Sequence, residues 1–494
     1  MIEQASAHVE EPVWTEEGLD LARTPRYPLQ VETEVRRAVD SLVPGVTAVT
    51  PHARYFALHG LVWAEAERRG LDEPDRLDLV RRAEVVIAGA SLAHEDHDLE
   101  VPTAHGADRI STSLDDHLDL DRMSRPGGYA EAKGGFSGPY TGAERYLGIT
   151  SQTWPPVPGP RFVAAGPRSA LGTVFELAME SRLPQAALRD AAHLCVCRSA
   201  TSEDGAFTAD LLVAPPAHAD FERPDRARTA TVAILLEVVR AGLAADPIEA
   251  AFGHAVSYGD FASTSIPNVL QAQAGVWRGM VLRNHSVSAW RRIWAWLVTQ
   301  LREPATEVEL GDRFAGALPS TTVANFFRDL PSTRGKSGLL SAEVDLRPDQ
   351  PTPVGDLRIL GLGARRLDEL DGPAFSAFCG ERDQFLGPEW FAARVSGWAQ
   401  RSLQDFGREL AIHLLRRSRR VAMSKLEIRA DGTLWLPTRV IERDGVFTAR
   451  SDEGWGDVGL RIGTLANALL TSGVLSWRRD VGWSLGSHGV NDVG

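Results

Sequence analysis

Tyr55, Phe56, Leu58, Leu61, Val62 and Trp63 follow one another too densely to form one helical stripe. A surface helix keeps its apolar residues on one face, so this pattern predicts a helix enclosed by protein. Thr50 suits the N-cap, and Pro51 suits the first helical position, where its missing N–H would be unpaired anyway. Arg54 falls inside the apolar run. A buried guanidinium needs a carboxylate or several acceptors, and Glu84 on the following helix is a candidate partner; the functional alternative is that Arg54 lines a pocket or holds a phosphate.

Further along, an amphipathic helix is predicted over 32–42 and another over 75–93, with Leu79, Val80, Ala83, Ile87 and Ala90 on one face. The strongest helical signal lies in 267–301. There Trp290, Ile293, Trp294, Leu297 and Leu301 fall at i, i+3, i+4, i+7 and i+11, and Trp277, Met280, Val281 and Asn284 continue the spacing upstream. This spacing reads as core. Helices are also expected within 170–200, 227–244 and 391–418. The C-terminal part reads as two hairpins, turning at Asp431-Gly432 and Asp444-Gly445, then a helix over 459–470 and a short strand. Residues 94–160 are rich in Gly, Pro, His and Asp and weakly periodic, with a short helix near 141–147. Such a stretch is usually functional or interface-forming. The acidic residues 1–30, with Trp14 and Tyr27, read as an arm over the first domain.

The fold class that follows is mainly α: multi-helix domains with a small C-terminal α/β region of two hairpins, winged-helix-like in outline. Four domains are expected: 1–160, helical with the long Gly/His/Asp-rich loop; 161–303, helical; 304–373, an irregular connector; and 374–494, a helix with β-hairpins.

Composition narrows the function classes. The chain has 494 residues, 43% of them hydrophobic, and a net charge of −13. As a whole it is no electrostatic partner for nucleic acid or an anionic membrane. Lysine occurs at Lys133, Lys336 and Lys425 only, so arginine carries the positive charge. No apolar run approaches the roughly 20 residues of a membrane span, and no leader pattern opens the chain. Three cysteines, Cys195, Cys197 and Cys379, fit a reducing cytoplasm. Cys195 and Cys197 lie in an apolar stretch read as a buried helix over 188–199. A lone C-x-C lacks the second ligand pair of a zinc site, so both read as packing residues.

His94-Glu95-Asp96-His97-Asp98, with His105 and Asp108 behind, is the densest set of ligand-type side chains. Imidazole and carboxylate bind divalent ions and activate water, and His94, His97 and Asp98 would carry such chemistry. The two histidines are three apart, whereas H-E-x-x-H places them four apart on a helix. A solvated acidic turn is the simpler account, and no metal is assigned. Gly335-Lys336-Ser337 lacks the upstream glycine of a phosphate loop, with Leu330 in its place, and no G-x-S-x-G elbow is present. No cofactor is expected. Arg416, Arg417, Arg419 and Arg420 could neutralise phosphates beside the hairpins, or simply face the negative pole of a helix end. Asp457, in the Gly-rich loop 452–459, reads as a turn residue or as the last helix's N-terminal anion.

Pro44-Gly45-Val46-Thr47 and Thr50, then Arg54-Tyr55-Phe56, resemble an uncharacterised bacterial family with a PG-x-(S/T)…T-x-x-x-RYF element. The similarity continues thinly at Arg81-Arg82-Ala83-Glu84, His105-Gly106-Ala107-Asp108, Gly138-Pro139-Tyr140 and Arg283-Asn284-His285. It singles out Arg54, Tyr55, Glu84 and His105. It implies a setting among the helicases and nucleases of anti-phage defence gene neighbourhoods, and no catalytic role. The leading expectation is therefore a cytoplasmic, non-enzymatic subunit of a defence or DNA-transaction system. It would bind a protein encoded nearby through 94–160, with no membrane contact. A nucleic-acid binder acting through the C-terminal arginines is the alternative, and a metal-dependent hydrolase at 94–108 the second.

Overall fold

The computed structural model describes residues 27–98, 100–167, 171–213, 223–380, 386–428 and 434–488. The expected N-terminal arm up to residue 26 and the Asp431-Gly432 turn lie outside the described residues. The protein is mainly α, with small antiparallel sheets, the larger of them near the C-terminus. No described helix is long and apolar enough to cross a membrane.

The chain divides into two compact units, each discontinuous in sequence. One holds the described residues up to Arg37, Ser257–Gly259 and Gly275–Val458; the other holds Ala38–Val256, Asp260–Ala274 and the described residues from Gly459 on.

The second of these units is built around the helix Ala53–Arg69. Its residues from Ala53 through Trp63 are all buried, as the dense apolar pattern requires. The helix begins at Ala53, later than Thr50 and Pro51 suggested. Thr50 instead bonds back to Thr47, and the Ala53 N–H donates to Thr471 Oγ1 at 3.0 Å. A side chain far along the sequence thus does the work expected of a local cap. Gly70 ends the helix in the left-handed region, its own N–H and that of Leu71 closing on Glu67 and Ala66.

The helix Glu73–Ala93 packs against it. Asp72 caps it through the Asp75 N–H, with Pro74 in the first turn. Its burial extends beyond the expected stripe to Val85, Val86 and Ala88, and it stops at His94, whose backbone is extended. The stretch 94–160 is largely folded into this unit. It carries short helices at Ala107–Ser111, Leu120–Met123 and Ser137–Leu147, and Tyr129 and Tyr140 are buried.

In the first unit, the helix Gln271–Gln300, continuing from the other unit at Gly275, presents Trp277, Met280, Trp290, Ile293, Trp294 and Leu297 as core. The stretch 304–373, expected to be irregular, holds helices at Glu307–Gly316, Val323–Arg328, Ala342–Asp345 and Pro353–Arg366. Three of them are capped by a threonine side chain, Thr306, Thr322 and Thr352, and the turn residues between them mask their periodicity. The helix Leu403–Met423 packs on Glu307–Gly316. The hairpin Val440–Arg443/Val446–Ala449 forms with Asp444 and Gly445 both at positive φ, and Ala305–Thr306 adds a third strand. The hairpin Glu427–Ile428/Leu434–Trp435 also forms. The last helix, Ile462–Thr471, belongs to the other unit and is followed there by the expected short strand, Leu475–Arg478, which pairs with a second strand not expected from the sequence, Gly482–Leu485.

Candidate metal centre

Two short segments meet at the end of the Glu73–Ala93 helix. One supplies His94 and His97 from the turn that follows the helix. The other supplies Cys195 and Cys197 from the start of a 3-10 turn, Val196–Thr201. One donor atom from each of the four side chains lies within 4.8 Å of the other three. His97 Nδ1 is 3.1 Å from Cys195 Sγ, His94 Nδ1 is 3.3 Å from Cys197 Sγ, and the two sulfurs are 3.2 Å apart.

These spacings can be compared with a real ion. Zn–S bonds of about 2.3 Å and Zn–N bonds of about 2.0–2.1 Å in a tetrahedron put sulfurs about 3.8 Å apart and sulfur and nitrogen about 3.6 Å apart. These three pairs need to spread by only about half an ångström, and the widest pair, at up to 4.8 Å, would close. Two thiolates and two imidazoles suit Zn2+, and four protein ligands fill its coordination shell. The residues therefore fit the ion in both kind and spacing.

The cysteines are tuned toward that use. Cys197 is lowered to about 4 by the hydrogen bond from Cys195, against the upward pull of burial, with the Asp98 backbone N–H and His94 assisting. Cys195 is raised, by that same hydrogen bond and by burial. The shared hydrogen bond thus favours the thiolate at Cys197 and the thiol at Cys195, and metal binding would displace the proton between them.

The expectation of one helix running through both cysteines is corrected. The stretch breaks at Cys195, whose backbone is extended, and both sulfurs face the histidines. Asp98, a candidate carboxylate ligand in the sequence, takes part through its backbone N–H, while its carboxylate accepts from the Glu100 N–H at 3.0 Å.

Arg54 supports the centre from behind. Its Nε donates to Asp204 Oδ2 at 2.9 Å, and Nη1 donates to the carbonyls of His193 at 2.8 Å and Cys195 at 2.7 Å. The expected pairing with Glu84 is corrected: Asp204, on the helix Glu203–Val213, takes that place. Val196 N–H also donates to Ser91 Oγ at 3.2 Å, tying the cysteine turn to the helix that presents the histidines. Hydrogen bonds of this kind fix the orientation of metal ligands.

Glu84 anchors a separate buried network. It accepts from His59 Nε2 at 2.8 Å, from the Phe136 N–H at 2.9 Å and from Tyr129 Oη. Glu144 takes the other side of His59, 2.5 Å from Nδ1. Burial alone would push His59 down, but the charges and hydrogen bonds of Glu144 and Glu84 outweigh it and hold the ring up to about 9. His105 stacks on Phe136 and contacts Tyr140 Oη at 3.1 Å, while the Tyr55 hydroxyl accepts from the His105 backbone N–H at 3.1 Å. Burial lowers His105 to about 4. Tyr55, Glu84 and His105 therefore share one network, and Arg54 belongs to the metal centre.

The C-terminal arginines are engaged locally. Arg416 pairs with Glu307 at 2.6 Å, Arg419 with Glu442 at 2.9 Å, and Arg417 donates to the Leu29 carbonyl at 3.2 Å; Arg420 is exposed. Asp457 accepts from Arg347 at 2.6 Å and Ser288 at 2.5 Å, so it is an ion-pair residue and no helix cap. Gly335 and Lys336 lie in a two-residue-strand hairpin with Gly338–Leu339, without the helix a phosphate loop requires.

Comparison with known proteins finds no matching family model, no matching curated protein and no matching solved structure.

Proposed function

We propose that this chain is a zinc-binding, non-enzymatic protein, in which His94, His97, Cys195 and Cys197 hold one structural ion. The observation that carries this reading is the convergence of the four donor atoms within 4.8 Å, from segments about a hundred residues apart. A hydrolytic zinc keeps one position for water, with three protein ligands. Four protein ligands leave no such position, which favours a structural role over the hydrolase reading. In this reading the ion ties the histidine turn to the cysteine turn. The chain then acts by binding, with a protein encoded nearby as partner, the setting that the resemblance at Pro44–Phe56 implies.

The test is metal analysis of protein purified without chelator, followed by cobalt substitution. About one zinc per chain is expected, and Co2+ should give the intense absorption of a tetrahedral thiolate site. Wild-type protein that carries no zinc and gains no such absorption with cobalt would remove the reading.

A further inference from the structure

The second ring nitrogen of His94 faces a cation. Arg198, exposed on the 3-10 turn, places Nη2 3.2 Å from His94 Nε2. A guanidinium offers only donors and does not give up its proton at ordinary pH. It donates here, and Nε2 accepts with its lone pair. In the neutral ring the proton is then on Nδ1, the atom 3.3 Å from Cys197 Sγ.

A metal ion on Nδ1 takes up the lone pair of that nitrogen, and the proton of the neutral ring must sit on Nε2. There it would meet Arg198 donor to donor. Ligating histidines normally donate from this position to a carboxylate or a carbonyl. An arginine is the opposite kind of partner.

We infer that the Arg198–His94 bond and a metal ion on His94 exclude one another, so that Arg198 gates the centre and swings away when metal binds. The inference rests on the metal-centre reading above. The surroundings allow the motion. The side chain is exposed, and Thr201 Oγ1 holds the Arg198 carbonyl at 3.3 Å, so the turn keeps its place while the guanidinium leaves. Arg198 also adds positive charge beside a site that takes a cation, which lowers affinity in the same direction. Its effect is to set the metal concentration at which the centre fills.

The experiment titrates chelator-stripped full-length protein with Co2+ in competition with a chromophoric chelator, using wild type, Arg198→Ala, Arg198→Lys and Cys197→Ser. Arg198→Ala should bind cobalt about 3- to 10-fold more tightly than wild type, the worth of one polar contact, and Arg198→Lys, still a donor, should lie between them. Affinity in Arg198→Ala that equals or falls below wild type overturns the gate. Wild type that binds no more cobalt than Cys197→Ser overturns the centre itself, and the two failures are thereby distinct. Labelling with phenylglyoxal, read at Arg198 by peptide mass spectrometry, gives a second readout. Faster labelling of the zinc-loaded protein than of the stripped protein is expected, and equal rates would overturn the displacement.

Discussion

Arg54 Nη1 donates to the Cys195 carbonyl at 2.7 Å, so a guanidinium within the buried stretch Ala53–Trp63 fixes the backbone of a candidate metal ligand. The same guanidinium grips Asp204, and both side chains are almost completely buried. Arg54→Ala removes the cation and strands the carboxylate. Truncating one partner of such a pair costs about 3–5 kcal/mol. Chemical denaturation should show that loss, and the variant should bind cobalt more weakly than wild type. Wild-type stability in Arg54→Ala would mean that Asp204 is satisfied by Ser199 and Ser202 alone.

Metal removal should destabilise the protein by mass action. A ligand present at a thousand times its dissociation constant stabilises the folded state by about 4 kcal/mol. Excess chelator should therefore lower Tm by several degrees in wild type. Cys197→Ser should start low and show no further response to chelator. The loss should also appear at low pH, since protons compete with a cation for its ligands. Equal chelator sensitivity in Cys197→Ser and wild type would place the ion elsewhere.

His59 supplies a second pH dependence of opposite sign. Held at about 9 in the folded state against 6.5 for the free side chain, its imidazolium contributes stability fully below pH 6.5, and the contribution is lost as pH rises through 9. Glu144, raised by burial, acts in the same direction. Tm should fall between pH 7 and 9.5 by an amount equivalent to roughly 2–3 kcal/mol. Glu144→Gln removes one of the two carboxylates and should move the fall to lower pH. A Tm that is flat across this range in wild type would show that His59 is neutral when folded.

The C-terminal arginines should contribute little to nucleic-acid binding. Arg416 and Arg419 already face Glu307 and Glu442, and exposed pairs of this kind are worth under about 1 kcal/mol each. Replacing Arg416, Arg417, Arg419 and Arg420 with alanine should leave affinity for duplex DNA at low salt unchanged. A marked, salt-dependent loss in the variant would restore this surface as a phosphate contact.

What the sequence disclosed was local. The enclosure of Tyr55–Trp63, the tryptophan stripe of 277–301 and the Asp444-Gly445 turn each depend on neighbours within a few residues, and each stands in the structure. The metal centre depends on pairs 98 and 103 residues apart, and Arg54 on a partner 150 residues away. Neither half of the centre is a motif alone. H-x-x-H and C-x-C become one only when the helix Glu73–Ala93 ends where the cysteine turn begins. The signal that was present is that a short polar histidine turn and a C-x-C pair each interrupt otherwise apolar segments. The partner of Arg54 escapes the sequence for the same reason: Glu84 offers an acid within the apolar part of the next helix, whereas Asp204 lies 150 residues away.

Gly135 and Gly138 offer a test of the buried network within three residues. Gly135 has φ +59, and a Cβ there would lie 2.0 Å from Tyr129 Oη and 2.3 Å from Glu84 Oε2. Those two atoms are bonded to each other, and Glu84 also holds His59. An added methyl must therefore separate a buried hydrogen bond while forcing a left-handed backbone on a residue with a side chain. Gly135→Ala should cost roughly 2–5 kcal/mol, combining overpacking with backbone strain. Gly138 is exposed on the helix Ser137–Leu147, and a Cβ there meets nothing within 4 Å. Gly138→Ala should change stability by less than about 1 kcal/mol, because the reduced freedom of the unfolded chain is offset by the bias of Pro139 against helical geometry at the residue before it. Urea unfolding of the two variants, compared with wild type, measures both. A large loss is expected for Gly135→Ala alone; a Gly135→Ala variant as stable as wild type would mean that the Tyr129–Glu84 contact is not what holds 129–136 against the helix.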